Sequence, residues 1–267
     1  MKLTLKNPFI IATITIVLFL AILRLPLNLI LDNFNLTAQQ FDNIETFLKN
    51  IFIITLSIIA IKKLNIIKLS GLSRKEKFKN KFLLLIPFYT VVFGSLSLVG
   101  TDLSNITIVD SVLLCLAMLS VGFVEEFIFR GILQSIMLKR FINHKNGVYI
   151  SVLLPALLFG LLHLVNLDPS NIAASVGQVV YAFFIGSAFG AILLRTNKLI
   201  PLAILHGLID IVFSVNVLLD DTAIPGELEQ QSFSDALGSM LFLLPLFVFA
   251  LFTIRKISKE SIVAKMT

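Results

Sequence analysis

The chain has 267 residues, of which 57% are hydrophobic and only 14% charged, and its mean hydropathy is +0.96. Soluble globular domains are about 45–50% apolar and about 25% charged, so this composition excludes a cytosolic globule, a disordered segment and a small secreted disulfide scaffold, and describes an integral membrane protein. The formal net charge of +6 invites a nucleic-acid reading, but the Lys and Arg lie in short loops between apolar runs, where their excess marks the cytoplasmic side of a membrane protein, and no nucleic-acid partner is expected.

A helix that crosses the hydrocarbon needs roughly 20 mainly apolar residues. Eight stretches qualify, near 8–31, 45–61, 82–100, 106–130, 148–165, 172–194, 199–219 and 237–254. The expected fold is therefore all-α: a polytopic transmembrane bundle of about eight spans. The first run follows Lys2 and Lys6 as a signal peptide would, but its length, its late Arg24 and Pro26 and the lack of a small-x-small site predict a retained span. Between spans the charge alternates. Asp32, Asp42 and Glu45 follow the first; the cluster Lys62, Lys63, Lys68, Arg74, Lys75, Lys77, Lys79 and Lys81 follows the second; Asp102 and Asp110 come next. Lys139, Arg140 and Lys145 follow the fourth, Asp168 the fifth, Arg195 and Lys198 the sixth, and Asp220, Asp221, Glu227 and Glu229 the seventh, while Arg255, Lys256 and Lys259 close the chain. Every even-numbered span ends on a basic side, which predicts both termini in the cytoplasm. The basic loop divides a two-span section, 1–81, from a six-span section, 82–267, that holds the chemistry. With Cys115 the sole cysteine, neither an intrachain disulfide nor a cysteine metal cluster can form.

Ionisable groups inside apolar spans carry the functional signal, because each costs at least about 2.5–3.5 kcal/mol at a helix centre. They are Glu125, Glu126 and Arg130 in the fourth span, His163 in the fifth, and His206 and Asp210 in the seventh. Glu126 and Arg130 stand at i and i+4 with the acid first, the favourable order for an ion pair on one helix face. Glu125 is rotated about 100° away, and its own i+4 neighbour is Phe129. Its compensation has to come from another helix, a metal or water, which suits a general base. His206 and Asp210 also stand at i and i+4, so the carboxylate can orient the imidazole. His163 follows Pro155, whose ring can kink the fifth span. A packing salt bridge and an interhelical hydrogen bond are the structural readings of the same residues.

The three segments together resemble the CPBP family of intramembrane proteases, which includes the type II CAAX prenyl endopeptidases and bacterial Abi-type proteins, some linked to bacteriocin immunity. Its pattern of Glu-Glu-x-x-x-Arg, Phe-x-x-x-His and His-x-x-x-Asn or Asp is met by Glu125, Glu126 and Arg130, by Phe159 and His163, and by His206 and Asp210. The likeness covers about 106–219. In the prenyl proteases the last motif commonly ends in Asn, where this chain has Asp210.

The resemblance implies an endopeptidase of a bacterial cell membrane that hydrolyses a peptide or membrane-protein substrate. Glu125, with His163, would activate a water, and His206 and Asp210 would bind or stabilise the oxyanion; Glu126, Arg130 and Phe159 would support them. The four groups Glu125, His163, His206 and Asp210 are also adequate ligands for a divalent cation such as zinc, so metal dependence is open, as are substrate identity and oligomeric state. Two other readings compete. A non-catalytic immunity or interaction protein would keep the site and act by binding. A proton-coupled transporter would use the same buried groups as a relay, but would favour duplicated halves, and none is evident.

Two structural expectations follow. Gly186 and Gly190 form Gly-x-x-x-Gly, which suggests a close helix contact in the sixth span. Depth is harder to reconcile. With the fourth span ending near Arg130, Glu125 lies roughly 7 Å from the basic side, whereas His163 lies about 27 Å from Lys145 at 1.5 Å per residue. The sequence therefore predicts that residues 146–152 project into the cytoplasm, and that the site is a water-filled cavity open on that side.

Overall fold

In a computed structural model of the chain, residues 7–219 and 232–266 are described; Lys2, Lys6, Asp220, Asp221, Glu227 and Glu229 lie outside them. The architecture is helical throughout. Helices α1 (Pro8–Leu23) and α2 (Asn28–Leu31) are separated at Pro26, which cannot continue a helix, so the first expected span is broken. Helix α3 (Ala38–Lys63) begins seven residues before the expected second span because Thr37 and Gln40 form a reciprocal cap on its first turn. A 3₁₀ turn (Lys81–Leu84) leads into α4 (Leu85–Ser97). Among the described residues seven helical stretches are long and apolar enough to cross a membrane; the expected third span, over Lys81–Ser97, is a shorter apolar helix.

The largest departure is in the fourth span. Helix α5 (Ile108–Glu126), capped by Thr107, passes without a break into a π-helical stretch, Phe127–Gln134, and then α6 (Ser135–Phe141). The apolar run ends at Arg130, but the helix continues to Phe141, 34 residues in all. Every residue from Glu126 to Leu138 is buried, because this stretch is the axis of the bundle, contacted by α1 and α3 and by the three helices that follow: α7 (Gly147–Leu162), α8 (Ile172–Thr196) and α9 (Ile200–Ser214). A helix buried on all sides tolerates Arg130 and Gln134 only because each meets a polar partner. Helix α10 (Phe233–Arg255) packs on α8, and α11 (Lys259–Val263) closes the described chain.

The longer helix removes the depth conflict. Glu125 stands 16 residues before Phe141, and His163 stands 16 residues after Gly147, so each is roughly 24 Å from the same end at 1.5 Å per residue. No special tilt around Pro155 is required to bring them level.

The glycines fix three close approaches. A Cβ at Gly186 would lie 3.0 Å from Arg130 Nη2 and 3.2 Å from Ala156 Cβ; one at Gly190 would lie 2.5 Å from Gln134 Oε1 and 2.9 Å from Val152 Cγ1. The expected close contact of Gly-x-x-x-Gly is therefore present, with α7 and the π-helical stretch. On α5, a Cβ at Gly122 would stand 2.8 Å from Gly207 Cα of α9, so α5 and α9 cross nearly backbone to backbone.

The basic segment 64–80 is a packed cap and not a solvated linker. Ile66, Leu69, Ser70 and Ser73 are buried. Lys198 Nζ donates to Ser73 O (2.8 Å), Lys139 Nζ to Asn65 O (2.9 Å) and Asn80 Nδ2 to Arg195 O (3.0 Å). Lys259 Nζ reaches His144 O (2.8 Å), and Lys265 bonds Asn197. The cap joins the two sections on either side of residue 81, and the main core likewise draws on both, from Ala12 to Ile209.

Candidate active site

The Gly122–Gly207 crossing brings His206 against the paired acids of α5. His206 Nδ1 lies 2.9 Å from Glu126 Oε1, and its Nε2 lies 3.2 Å from Glu125 Oε2 and 3.9 Å from Asp210 Oδ1. The imidazole is thus held between two carboxylates from one helix, with a third one turn further along its own. Its ring is fixed from the sides as well, edge-on to Phe159 (5.9 Å) and to Phe189 of α8 (5.3 Å).

Glu126 bridges two partners. Besides His206 it meets Arg130 Nη1 at 2.7 Å, with both side chains essentially inaccessible at 0% and 1%. The guanidinium lies 4.8 Å above the Phe159 ring and 5.8 Å from that of Phe189, and cation–π contact of this kind is strongest away from water. The Glu126–Arg130 pair expected from i, i+4 spacing is present. The bond from Glu126 to His206 is what spacing within one helix could not foretell.

Glu125 differs. It has no basic neighbour within its own helix, its side chain keeps 17% exposure, and its compensation comes from His206 across the helix crossing. The sequence left its compensation to another helix, a metal or water; here a side chain of another helix meets it. Asp210 is 24% exposed, yet its Oδ2 is buried without a hydrogen-bond partner.

His163 sits apart from this set. It opens the 3₁₀ turn that follows α7, half-buried, with its ring 5.1 Å from that of Phe159 and edge-on to it. Among the described residues, the atoms that fall within 4.8 Å of one another and could share a metal ion belong to Glu125, His206 and Asp210, without His163. The fourth, fifth and seventh expected spans do converge, but on three acids and one imidazole, with the second imidazole joined to them through the Phe159 ring.

Two polar side chains of α8, Tyr181 and Gln178, were not among the sequence candidates. Tyr181 is half-buried in the neighbourhood of Asp210, and Gln178 Oε1 is buried without a hydrogen-bond partner. A scan of ionisable groups passes over an amide; asking which uncharged polar residues interrupt an apolar span would have found Gln178.

The three carboxyl and imidazole groups suit a cation by chemistry and spacing. Two ligands of a tetrahedral zinc with bonds of about 2.0–2.1 Å lie roughly 3.4 Å apart, and the separations here are 3.2 and 3.9 Å. The partnerless Asp210 Oδ2 is consistent with such a role.

Comparison with known proteins gives one match: residues 107–212 fit the family model described as Type II CAAX prenyl endopeptidase Rce1-like. No curated protein and no solved structure matches the chain.

Proposed function

We propose, from the fit of residues 107–212 to the Rce1-like type II CAAX prenyl endopeptidase family model, that this chain is an intramembrane protease that hydrolyses a peptide bond at the membrane with a water activated by Glu125. The observation that carries the reading is the asymmetry of the paired acids. Glu126 is fully buried and committed to Arg130 and His206, whereas Glu125 keeps an exposed edge and is aligned from across the crossing.

Glu125 takes a proton from water as the oxygen attacks the scissile carbonyl carbon. It then returns that proton to the leaving amine as the carbon–nitrogen bond breaks, the two-way role of a general base and acid. His206 acts as a positioning group, since both of its ring nitrogens face carboxylates. The donor for the developing oxyanion is His163, whose imidazole packs on Phe159, the ring that also contacts His206. This exchanges the two histidine roles that the family resemblance suggests. A divalent cation held by Glu125, His206 and Asp210 would supply Lewis-acid polarisation of the carbonyl at the same place.

Purified protein in lipid vesicles should cleave a membrane-anchored peptide, with products read by mass spectrometry, and paired prenylated and unprenylated peptides tell whether the lipid is part of recognition. Tight peptide binding without any product would favour a binding protein over a protease.

A further inference from the structure

Helices α8 and α10 run side by side and both finish at the basic end of the bundle. Near their starts a Cβ at Gly177 would lie 3.3 Å from Ala236 Cβ; at their ends Arg195 Nη1 donates to Lys256 O at 3.4 Å. At 23 residues α10 is roughly 35 Å long, against a hydrocarbon core of about 30 Å, so its final turn reaches the headgroup level.

Between these two helix ends and the 3₁₀ turn Lys81–Leu84 lies a cavity of about 210 Å³, lined by Leu83, Arg195, Phe249, Phe252, Thr253 and Lys256. At roughly 30 Å³ for each water it has room for about seven, the scale of a phosphate with its glycerol. It is separate from the cluster of Glu125, His206 and Asp210, and shares no residue with it.

Polarity is ordered along the lining. Phe249, Phe252, Thr253 and Lys256 stand at i, i+3, i+4 and i+7 on one face of α10, with a rise of about 10 Å from the first to the last. Leu83 and Thr253 are buried, Phe249 is half-buried, and Phe252 is 61% exposed at the opening. The polar end is cationic: Arg195 is half-buried, and Lys256, Arg255 and Lys81 are exposed. Among the described residues no side-chain carboxylate lies within ion-pair distance of these four. Within that set the Arg195 guanidinium meets one carbonyl, at 3.4 Å, a small part of its five-donor capacity.

We propose that this cavity binds one anionic phospholipid, with its phosphate between Arg195 and Lys256, its glycerol over Thr253 and an acyl chain along Phe249 and Phe252. Arginine presents a planar fork that suits phosphate oxygens, and lysine adds a point charge. A zwitterionic headgroup brings its own cation to a place already cationic, so charge selects an anionic one. The apolar half of the lining, Leu83, Phe249 and Phe252, selects a lipid over a free phosphate ion. A lipid so held joins α8, α10 and the turn before α4, and stabilises the folded bundle because it binds that state alone. The site does not depend on the protease reading.

The test titrates phosphatidylglycerol into the purified full chain in neutral detergent, with phosphatidylcholine as comparison and the thermal unfolding midpoint as the reading. Phosphatidylglycerol should raise the midpoint saturably and phosphatidylcholine should not. In Arg195→Gln with Lys256→Gln the half-saturating amount should rise about 30-fold. Lys62→Gln with Lys63→Gln, which removes two exposed cations from the last turn of α3, should leave it unchanged. Equal losses in both pairs, or a loss in neither, overturn the site. Phe252→Glu keeps both cations and sets a carboxylate at the opening, so it should abolish the rise; a full rise in that variant overturns the assignment even where the double variant fails to fold. Inorganic phosphate and glycerol 3-phosphate should give no rise, and a rise equal to that of the lipid would replace the lipid by a free anion.

Discussion

Glu125 and Glu126 are adjacent in sequence and differ in almost everything else. A substitution that leaves shape and removes charge should separate them. Glu126→Gln strands Arg130 in the centre of the bundle, where removing one partner of a buried ion pair costs about 3–5 kcal/mol; thermal unfolding in detergent should show a clear fall in midpoint along with weakened activity. Exchanging the pair, Glu126→Arg with Arg130→Glu, should recover part of that stability but not activity, because the exchange sets a guanidinium against His206. The histidines divide in the same way. His163→Ala should lower kcat with the unfolding midpoint unchanged, since its ring is half-buried just past the end of α7. His206→Ala should lower both, because it leaves two carboxylates facing each other. At this scale the sequence is legible wherever the partner is one turn away, as for Glu126 and Arg130. It is silent where the partner is on another helix, as for Glu126 and His206, because the crossing that joins them depends on Gly122 and Gly207, which spacing within a single span does not reveal.

Elements were read correctly in kind and less well in extent. A hydropathy window stops at the first polar cluster, so the fourth span seemed to end at Arg130; the helix continues because Arg130 and Gln134 find partners and surroundings inside the protein, Gln134 Nε2 donating to Gly190 O at 3.0 Å. The same cause hides the π-helical stretch, whose polar residues follow a helical hydrogen-bonded path wider than the one a sequence pattern assumes. Two glycines test this packing. Gly190→Ala places a methyl against Gln134 and Val152 and should cost about 1–3 kcal/mol, as overpacking typically does. Gly122→Ala forces α5 away from α9. It should lower kcat by more than it lowers the unfolding midpoint, because the 3.2 Å approach of Glu125 to His206 depends on that crossing; equal losses in both would argue that the crossing serves stability alone.

For the whole molecule, composition and charge alternation were enough to read a helical membrane bundle, and three short motifs were enough to read the family. The cap was out of reach. Segment 64–80 reads as a run of cations, and only its carbonyls, taken by Lys139 and Lys198, turn it into a lid over the basic end. Substituting Met for both lysines should therefore lower the unfolding midpoint, with each lost charged hydrogen bond worth about 1.5–3 kcal/mol, and leave KM unchanged because the cap does not contact Glu125, His206 or Asp210. The account as a whole depends on one proton acceptor. Cleavage of a membrane-anchored peptide by vesicle-reconstituted chain, compared with Glu125→Gln at equal protein level and equal unfolding midpoint, tests it most directly. Loss of a general base should lower kcat by about 10²–10⁴-fold, and a Glu125→Gln variant that cleaves at the unsubstituted rate would contradict the mechanism.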